Sequence, residues 1–492
     1  METGMSGPGR ETGGYGRGRA DAGMKVAAGK GGSDGARGVP AGGARAGRAR
    51  AGGGAAGGAS GGGAGTAAPG TGARWKELLL LGAAFPVSFL GWVSLDLARE
   101  GRVVAANVTY PLLLCAAFLL AHLVLRGLRP HADPVLLPLA AALCLVGMVL
   151  LLRLNAHMAR LQLIWMGVGM LAMLLLVALL RDYRLMERYR YTLALLGLAL
   201  LFSTMILGRE VNGARLWLVF GPLRLQPSEL AKILLAVFFA AYLAERRELI
   251  ASAGKKVLGL NLPRPRDLGP LLTMWALSLL LLIFQRDLGS SLLFFGIFLA
   301  VIYVSTERPA FVLAGVVLFL AGATLTFFLF GHVESRVKSW IDPLDPQTVN
   351  GESYQIAQSL FAFADGGLSG TGLARGSPDL IPFVETDFIY ASAGEELGLF
   401  GAVALALLYL AFTCRGLYVA LRCPDDFGRL LAVGLSAIVG LQSFIIMGGV
   451  TRLLPLTGIT LPFVSYGGSS LVSNFLLLGL LLCVSAGGGE VA

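Results

Sequence analysis

PAFVLAGVVLFLAGATLTFFLF, residues 309–330, contains no charged side chain. As a helix it rises about 33 Å, enough to cross the roughly 30 Å hydrocarbon core of a bilayer. A surface helix of a soluble domain would need a polar face, and this stretch has none. Outward from it, eleven further apolar runs of comparable length lie near 78–97, 106–125, 134–152, 161–180, 190–208, 228–244, 268–285, 288–306, 391–414, 429–450 and 469–486. None alternates with the period of two that a barrel strand requires. The expected fold is therefore an all-α polytopic membrane protein with about twelve crossings. Composition agrees, since 55% of the 492 residues are apolar and only 14% charged, with a mean hydropathy of +0.72, far from a soluble globular domain.

The net charge of +10 is concentrated at one end, because residues 1–74 carry ten Lys/Arg against four Asp/Glu. That segment is rich in Gly, Ala and Arg and nearly free of large apolar residues, so it is expected to be a disordered cytoplasmic tail. Its basic charge suits anionic lipid at the inner leaflet. Without interleaved aromatics to stack bases, nucleic acid is not expected as a partner. The first apolar run begins only at Leu78, too late for a cleaved signal peptide. Alternate loops bearing Arg181, Arg184, Arg188, Arg246, Arg247, Arg415 and Arg422 belong on the cytoplasmic side with the tail. Both termini are then cytoplasmic, and the one long loop, 331–390, is exported. Arg153, Arg160, Arg209, Arg215, Arg224 and Arg336 fall on the exported side against this rule and need another reason. Five scattered cysteines suggest neither a zinc site nor a disulfide framework, and are expected to be packing residues. The four histidines have no ligand spacing and are expected at surfaces or helix ends.

Four constellations interrupt the apolar pattern. In NGARLWLVFGPLRLQPSELAK, 212–232, Glu229 sits at a helix start and Lys232 on the same face one turn inside. Two readings stand side by side: a Glu229–Lys232 pair that lets a charged residue snorkel, or a cation that, with Arg215 and Trp217, meets an anionic lipid headgroup. In FQRDLGSSLLF, 284–294, Arg286 and Asp287 fit a solvated hairpin tip as well as a site. The long loop contains RVKSWIDPLDPQ, 336–347, and a GGLSGTG run whose glycines read as turns, since no Lys-Ser/Thr follows to make a phosphate cradle. Residues 354–360 repeat apolar side chains at helical spacing, as an interfacial amphipathic helix would. In IPFVETDFIYASAGEELGLFG, 381–401, Asp387 stands at the mouth of a membrane helix whose Ala391, Ala393, Gly394 and Gly398 let another helix approach. A carboxylate there can act as general base on a hydroxyl, whereas Glu385 reads as structural. Finally, Pro455, Pro462, Gly467 and Gly468 break the stretch 452–474, which implies non-helical backbone lining a cavity.

Taken in order, GARLW, QPSELAK, RDLGSSLLF, SYQIAQSL, GGLSGTGL, TDFIYASAGEELGLFG and LPFVSYGGSSL resemble the SEDS family, the RodA/FtsW/SpoVE proteins of bacterial wall synthesis, across about residues 135–486. The resemblance implies a ten-helix core, here 131–490, preceded by an extra transmembrane pair over 75–130. It further implies a peptidoglycan glycosyltransferase of the bacterial cytoplasmic membrane that polymerises lipid II with a class B penicillin-binding transpeptidase. The family's essential aspartate falls on Asp387. Its other motif positions fall on Arg215, Trp217, Lys232 and Asp379, and Glu229, Asp287, Arg336, Trp340, Ser465, Gly467 and Gly468 complete the expected substrate-binding set. Where the family usually reads Pro-Glu-x-His-Thr-Asp, this chain has Pro382-Phe383-Val384-Glu385-Thr386-Asp387. On this reading Asp387 activates the acceptor hydroxyl while Arg215, Lys232 and Arg336 stabilise the departing diphosphate. A divalent cation could share that task, although no ligand cluster demands one. A flippase for the lipid-linked precursor and a noncatalytic scaffold are the competing readings, and the motifs do not separate elongation, division and sporulation.

Overall fold

The structure, a computed structural model, describes residues 71–104, 108–211, 214–221, 223–252, 255–257, 260–262 and 265–487. The expectation of a disordered tail concerns residues that lie outside these up to 70, while Thr71 already opens the first helix. In chain order the helices are α1 (Thr71–Glu100), α2 (Thr109–Leu128), α3 (Leu136–Leu154), α4 (Ala156–Leu179), the single turn α5 (Leu185–Arg188), α6 (Arg190–Leu207) and α7 (Pro227–Ser252). There follow α8 (Pro265–Phe284), α9 (Leu288–Thr306), α10 (Pro309–Leu329), α11 (Gly331–Ile341), α12 (Tyr354–Gly366), α13 (Ile389–Arg422), α14 (Asp426–Val450) and α15 (Gly468–Gly487). Among the described residues eleven helices are long and apolar enough to cross a membrane, and the apolar part of α8, Gly269–Phe284, is a shorter twelfth. The chain is thus a polytopic all-α membrane protein.

Helix starts follow local chemistry. Asn155, Asp287 and Asp425 each turn a side-chain oxygen onto backbone N–H groups at the start of α4, α9 and α14, which satisfies donors that the helix itself leaves open. The short turns that result make consecutive helices antiparallel neighbours. α3, α7, α14 and α15 form the centre, with Phe238, Phe239, Tyr242 and Phe475 fully buried there. By contrast, α10 has only Gly315 buried, in keeping with a stretch that is apolar on every side.

Three features differ from expectation. The α6–α7 connection is an antiparallel sheet of β1 (Arg209–Val211), β2 (Ala214–Phe220) and β3 (Leu223–Leu225), and the α7–α8 connection a hairpin of β4 (Lys255–Val257) and β5 (Leu260–Leu262). His122 is not at a surface or helix end; it is buried in α2, where Nδ1 lies 3.0 Å from the Glu77 carboxylate, itself paired with Arg74. Of the cysteines four are buried as expected, but Cys414 is exposed.

The long α10–α13 connection is held by α13 itself. Gly398 adopts φ 68° inside that helix and kinks it, exposing backbone groups that the GGLSGTG run takes up. Thr371 and Gly372 donate to the carbonyls of Glu395 and Glu396, and Leu399 and Phe400 donate to those of Gly367 and Leu368. Gly367, Gly370 and Gly372 all have positive φ, the backbone state only glycine adopts freely. The expected amphipathic helix is α12, which lies on α13 so closely that a Cβ at Gly394 would sit 2.2 Å from the Phe363 ring.

Candidate active site

After Val450 the chain leaves helical geometry until Gly468, and this broken segment, 451–467, passes from an exposed start at 451–453 to a largely buried stretch at 459–465. A Cβ on Gly147 of α3 would stand 2.6 Å from the Val464 backbone, and one on Gly289 of α9 would stand 3.0 Å from the Thr457 carbonyl. Tyr409 of α13 donates to the Pro462 carbonyl at 2.5 Å. Backbone without helical partners is therefore satisfied by its neighbours, the condition under which such segments persist at membrane depth.

Asp387 meets this segment at Gly458. A side chain on Gly458 would begin 3.5 Å from Asp387 Oδ2 and 3.9 Å from Arg336 Nη2, so acid and cation converge on one glycine, whose φ is +70°. Arg336, on α11, is fixed by donating through Nη1 to the carbonyls of Leu456 and Thr457 at 3.1 and 3.0 Å. Asp387 is fixed from the other side, because Ser465 Oγ donates to the Thr386 carbonyl at 2.5 Å while accepting from the Leu461 amide at 3.0 Å. Burial raises the Asp387 carboxyl to about 6, the Thr386 hydroxyl and the Arg336 charge only partly opposing it. Burial likewise lowers Arg336 from the ordinary arginine value, against the attraction of Asp287 and Asp387. A carboxylate of this kind is ionised at neutral pH yet basic enough to take up a proton.

Asp287 belongs to the same cluster, and of the two readings of the α8–α9 turn the solvated tip does not fit its burial. It is 4% exposed, with Oδ1 accepting from the Ser290 amide at 2.9 Å and Oδ2 buried without a hydrogen-bond partner among the described residues. Burial raises its carboxyl, and Arg336 opposes that shift.

The remaining expected residues divide. Lys232 is 2% exposed, its ammonium donating to Glu229 Oε2 at 2.5 Å and Gln442 Oε1 at 2.8 Å. Glu229 Oε2 also accepts from Ser473. The intrahelical pair forms, and Lys232 is buried in the helix packing. Arg215 is exposed and Trp217 half-buried on β2, with Trp217 opposite Arg209; this sheet joins the cluster's end of the bundle through Gln226, whose amide donates to Ser469 Oγ. Trp340 ties α11 to the broken segment by donating to the Arg452 carbonyl at 3.1 Å. Asp379 is exposed and pairs with Arg153 at 3.4 Å. The Gly467 amide donates to Gln162 Oε1 at 3.2 Å, and Gly468 packs on the Trp165 ring.

Arg153 explains one arginine that broke the charge rule. Its Nε donates to Glu396 Oε1 at 2.6 Å and Nη2 to the Gly376 carbonyl at 3.0 Å, so it anchors the long connection. Residues that reading the motifs missed are Gly458, Gln162 and Gln442; the last two carry a visible signal, a lone amide in an otherwise apolar run. Among the described residues no group of three His, Cys, Asp or Glu could hold a metal ion.

A family model described as cell cycle protein, FtsW/RodA/SpoVE, matches residues 135–488. The chain belongs to the FtsW/RodA/SpoVE family. Peptidoglycan glycosyltransferase RodA of Mycobacterium leprae is 46% identical over 421 residues, 83% of this chain and 90% of the relative. RodA of Mycobacterium tuberculosis is 44% identical over 425 residues, 84% and 90% of the two chains. Among solved structures, a chain of a peptidoglycan synthase complex superposes with TM-score 0.59 at 30% identity, covering 72% of this chain and 97% of that one. Thermus thermophilus RodA does so with TM-score 0.52 at 28% identity, covering 72% and 96%. Helices α1 and α2 precede the part that the FtsW/RodA/SpoVE model matches.

Proposed function

We propose that the chain is a peptidoglycan glycosyltransferase that polymerises lipid II at the outer face of the bacterial cytoplasmic membrane, with Asp387 as general base. The observation that carries this reading is the convergence of Asp387 and Arg336 on Gly458, at the end of the bundle that also bears the long connection. The opposite end holds the ion pairs Arg184–Asp425, Arg247–Asp426 and Arg415–Asp133, and its surplus of arginine supports a cytoplasmic placement.

In the reaction the acceptor sugar's 4-hydroxyl oxygen forms a bond to the donor's anomeric carbon. The bond from that carbon to the diphosphate oxygen breaks, and the electron pair leaves with the lipid diphosphate. Asp387 takes the hydroxyl proton. Arg336 faces the charge that grows on the diphosphate, a role in which a fixed donor contributes about 3–4 kcal/mol of transition-state stabilisation. Arg215, exposed on β2, extends positive charge along the same end. No ATP is required, which suits a site outside the cell. The kinship to RodA relatives and to a synthase complex supports a penicillin-binding transpeptidase as partner.

The test is purified protein supplied with fluorescent lipid II and its co-purifying transpeptidase. Glycan ladders that a muramidase digests are expected. Redistribution of lipid II across vesicles without polymer would replace the enzyme by a transporter, and neither activity would leave a scaffold.

A further inference from the structure

Two glutamines are buried inside the bundle, Gln162 on α4 at 1% exposure and Gln442 on α14 at 0%. Each uses both ends of its amide, and each grips the broken segment. Gln442 Nε2 donates to the Thr460 carbonyl at 2.8 Å, while Oε1 accepts from Lys232. Gln162 Nε2 donates to the Ser465 carbonyl at 2.9 Å, while Oε1 accepts from the Gly467 amide. An ammonium and a backbone amide only donate, so the partners themselves dictate which way each amide faces.

We propose that Gln442 and Gln162 are positioning residues for glycosyl transfer, and that Lys232 acts through Gln442 rather than on substrate. The chain of contacts is continuous. Lys232, with its charge balanced by Glu229, polarises the Gln442 amide and strengthens its hold on Thr460. Two residues earlier stands Gly458, against which Asp387 and Arg336 meet, and just before it are the Leu456 and Thr457 carbonyls that hold Arg336. At the other side of the segment Gln162 holds Ser465, whose hydroxyl fixes the Thr386 carbonyl beside Asp387. Losing either clamp leaves buried carbonyls or amides without partners and frees the wall that sets the acid-to-cation geometry. Misplacement of about 1 Å at a reacting group costs on the order of 100-fold in rate.

The inference rests on the glycosyltransferase reading, and the experiment separates the two. Lipid II polymerisation is measured for the full-length wild type, Gln442→Glu, Gln442→Met, Gln162→Met, Lys232→Gln and the double variant Lys232→Gln/Gln442→Met. Wild type without ladders sinks the activity itself; wild type with ladders leaves the positioning claim to be judged on the variants. Gln442→Glu still accepts from Lys232 but turns an acceptor toward the Thr460 carbonyl, so it isolates the lost donor. A fall in kcat of about 10- to 100-fold with KM for lipid II changed less than about threefold is expected for each single variant. The double variant is expected to be no worse than Gln442→Met, since one path is cut once.

The pH profile supplies a readout that generic destabilisation would not move. Asp387 faces the Arg336 charge directly, and Arg336 in turn faces Asp287 and lies near His332. Arg336 lowers the Asp387 carboxyl, so freeing its wall is expected to move the acid limb to higher pH in Gln442→Glu and Gln162→Met. Three results would overturn the proposal: an unchanged kcat and acid limb, a raised KM at unchanged kcat, or losses from Lys232→Gln and Gln442→Met that multiply. Should one variant fail to fold, the other clamp, on a different helix, carries the same test.

Discussion

The acid limb of the activity profile follows from the surroundings of Asp387. Its carboxyl stands at about 6 against an ordinary 3.8, with burial the larger cause and the Thr386 hydroxyl, then the Arg336 charge, opposing it. If the ionised form is the active one, rate rises with pH through that value. At pH 5 about a tenth of the sites would be ionised, whereas an unperturbed aspartate would be more than about nine-tenths ionised. The expected loss in kcat/KM from neutral pH to pH 5 is therefore roughly tenfold. Initial rates of lipid II polymerisation across about pH 4.5 to 8, at constant ionic strength, measure it. Bound lipid diphosphate adds negative charge nearby, so the limb in kcat should lie no lower than that in kcat/KM. A profile flat down to pH 5, or one with its limb near 4, would refute the reasoning.

Other substitutions probe separate links. Arg336→Gln should lower kcat by about 10²- to 10³-fold and move the acid limb upward, because the variant loses both the charge facing the diphosphate and the force that favours ionised Asp387; an unmoved limb would show that the two groups do not interact. Arg153→Met leaves Glu396 buried without its cation, and thermal unfolding in detergent should record a loss of about 3–5 kcal/mol. Adding Glu396→Gln should recover part of it, and a neutral single variant would show the pair to be incidental. Gly147→Ala drives a methyl into the Val464 backbone, 2.6 Å away, and should cost about 1–3 kcal/mol together with activity, whereas Gly127→Ala, with open space around it, should be silent in both.

Apolar length located the crossings, because a bilayer accepts little else, but it missed the shortness of the apolar part of α8 and the polar ends by which α1, α7 and α13 outrun their apolar runs. Small residues at 391–398 forecast the close approach of α12, and the prolines and glycines of 452–474 forecast the broken segment. The cluster was legible as residue types but not as partners. Lys232 and Gln442 are separated by 210 positions and Arg153 and Glu396 by 243, so no local pattern says that one cation serves a loop and the other the long connection. Asp287 illustrates the same limit: a two-residue charged turn between apolar runs reads equally as a solvated tip or a site until the broken segment folds over it. The strands between α6 and α7 were hidden because Gly213, Gly221 and Pro222 announce turns without saying what the turns connect.

The central claim is that the Asp387 carboxylate takes the proton from the attacking sugar hydroxyl. Asp387→Asn keeps size and polarity but removes the base, and its turnover of lipid II with the transpeptidase present is the most direct measurement. The expected result is a loss of at least about 100-fold in kcat, with lipid II affinity and transpeptidase association retained. Turnover within a few-fold of wild type would contradict the account.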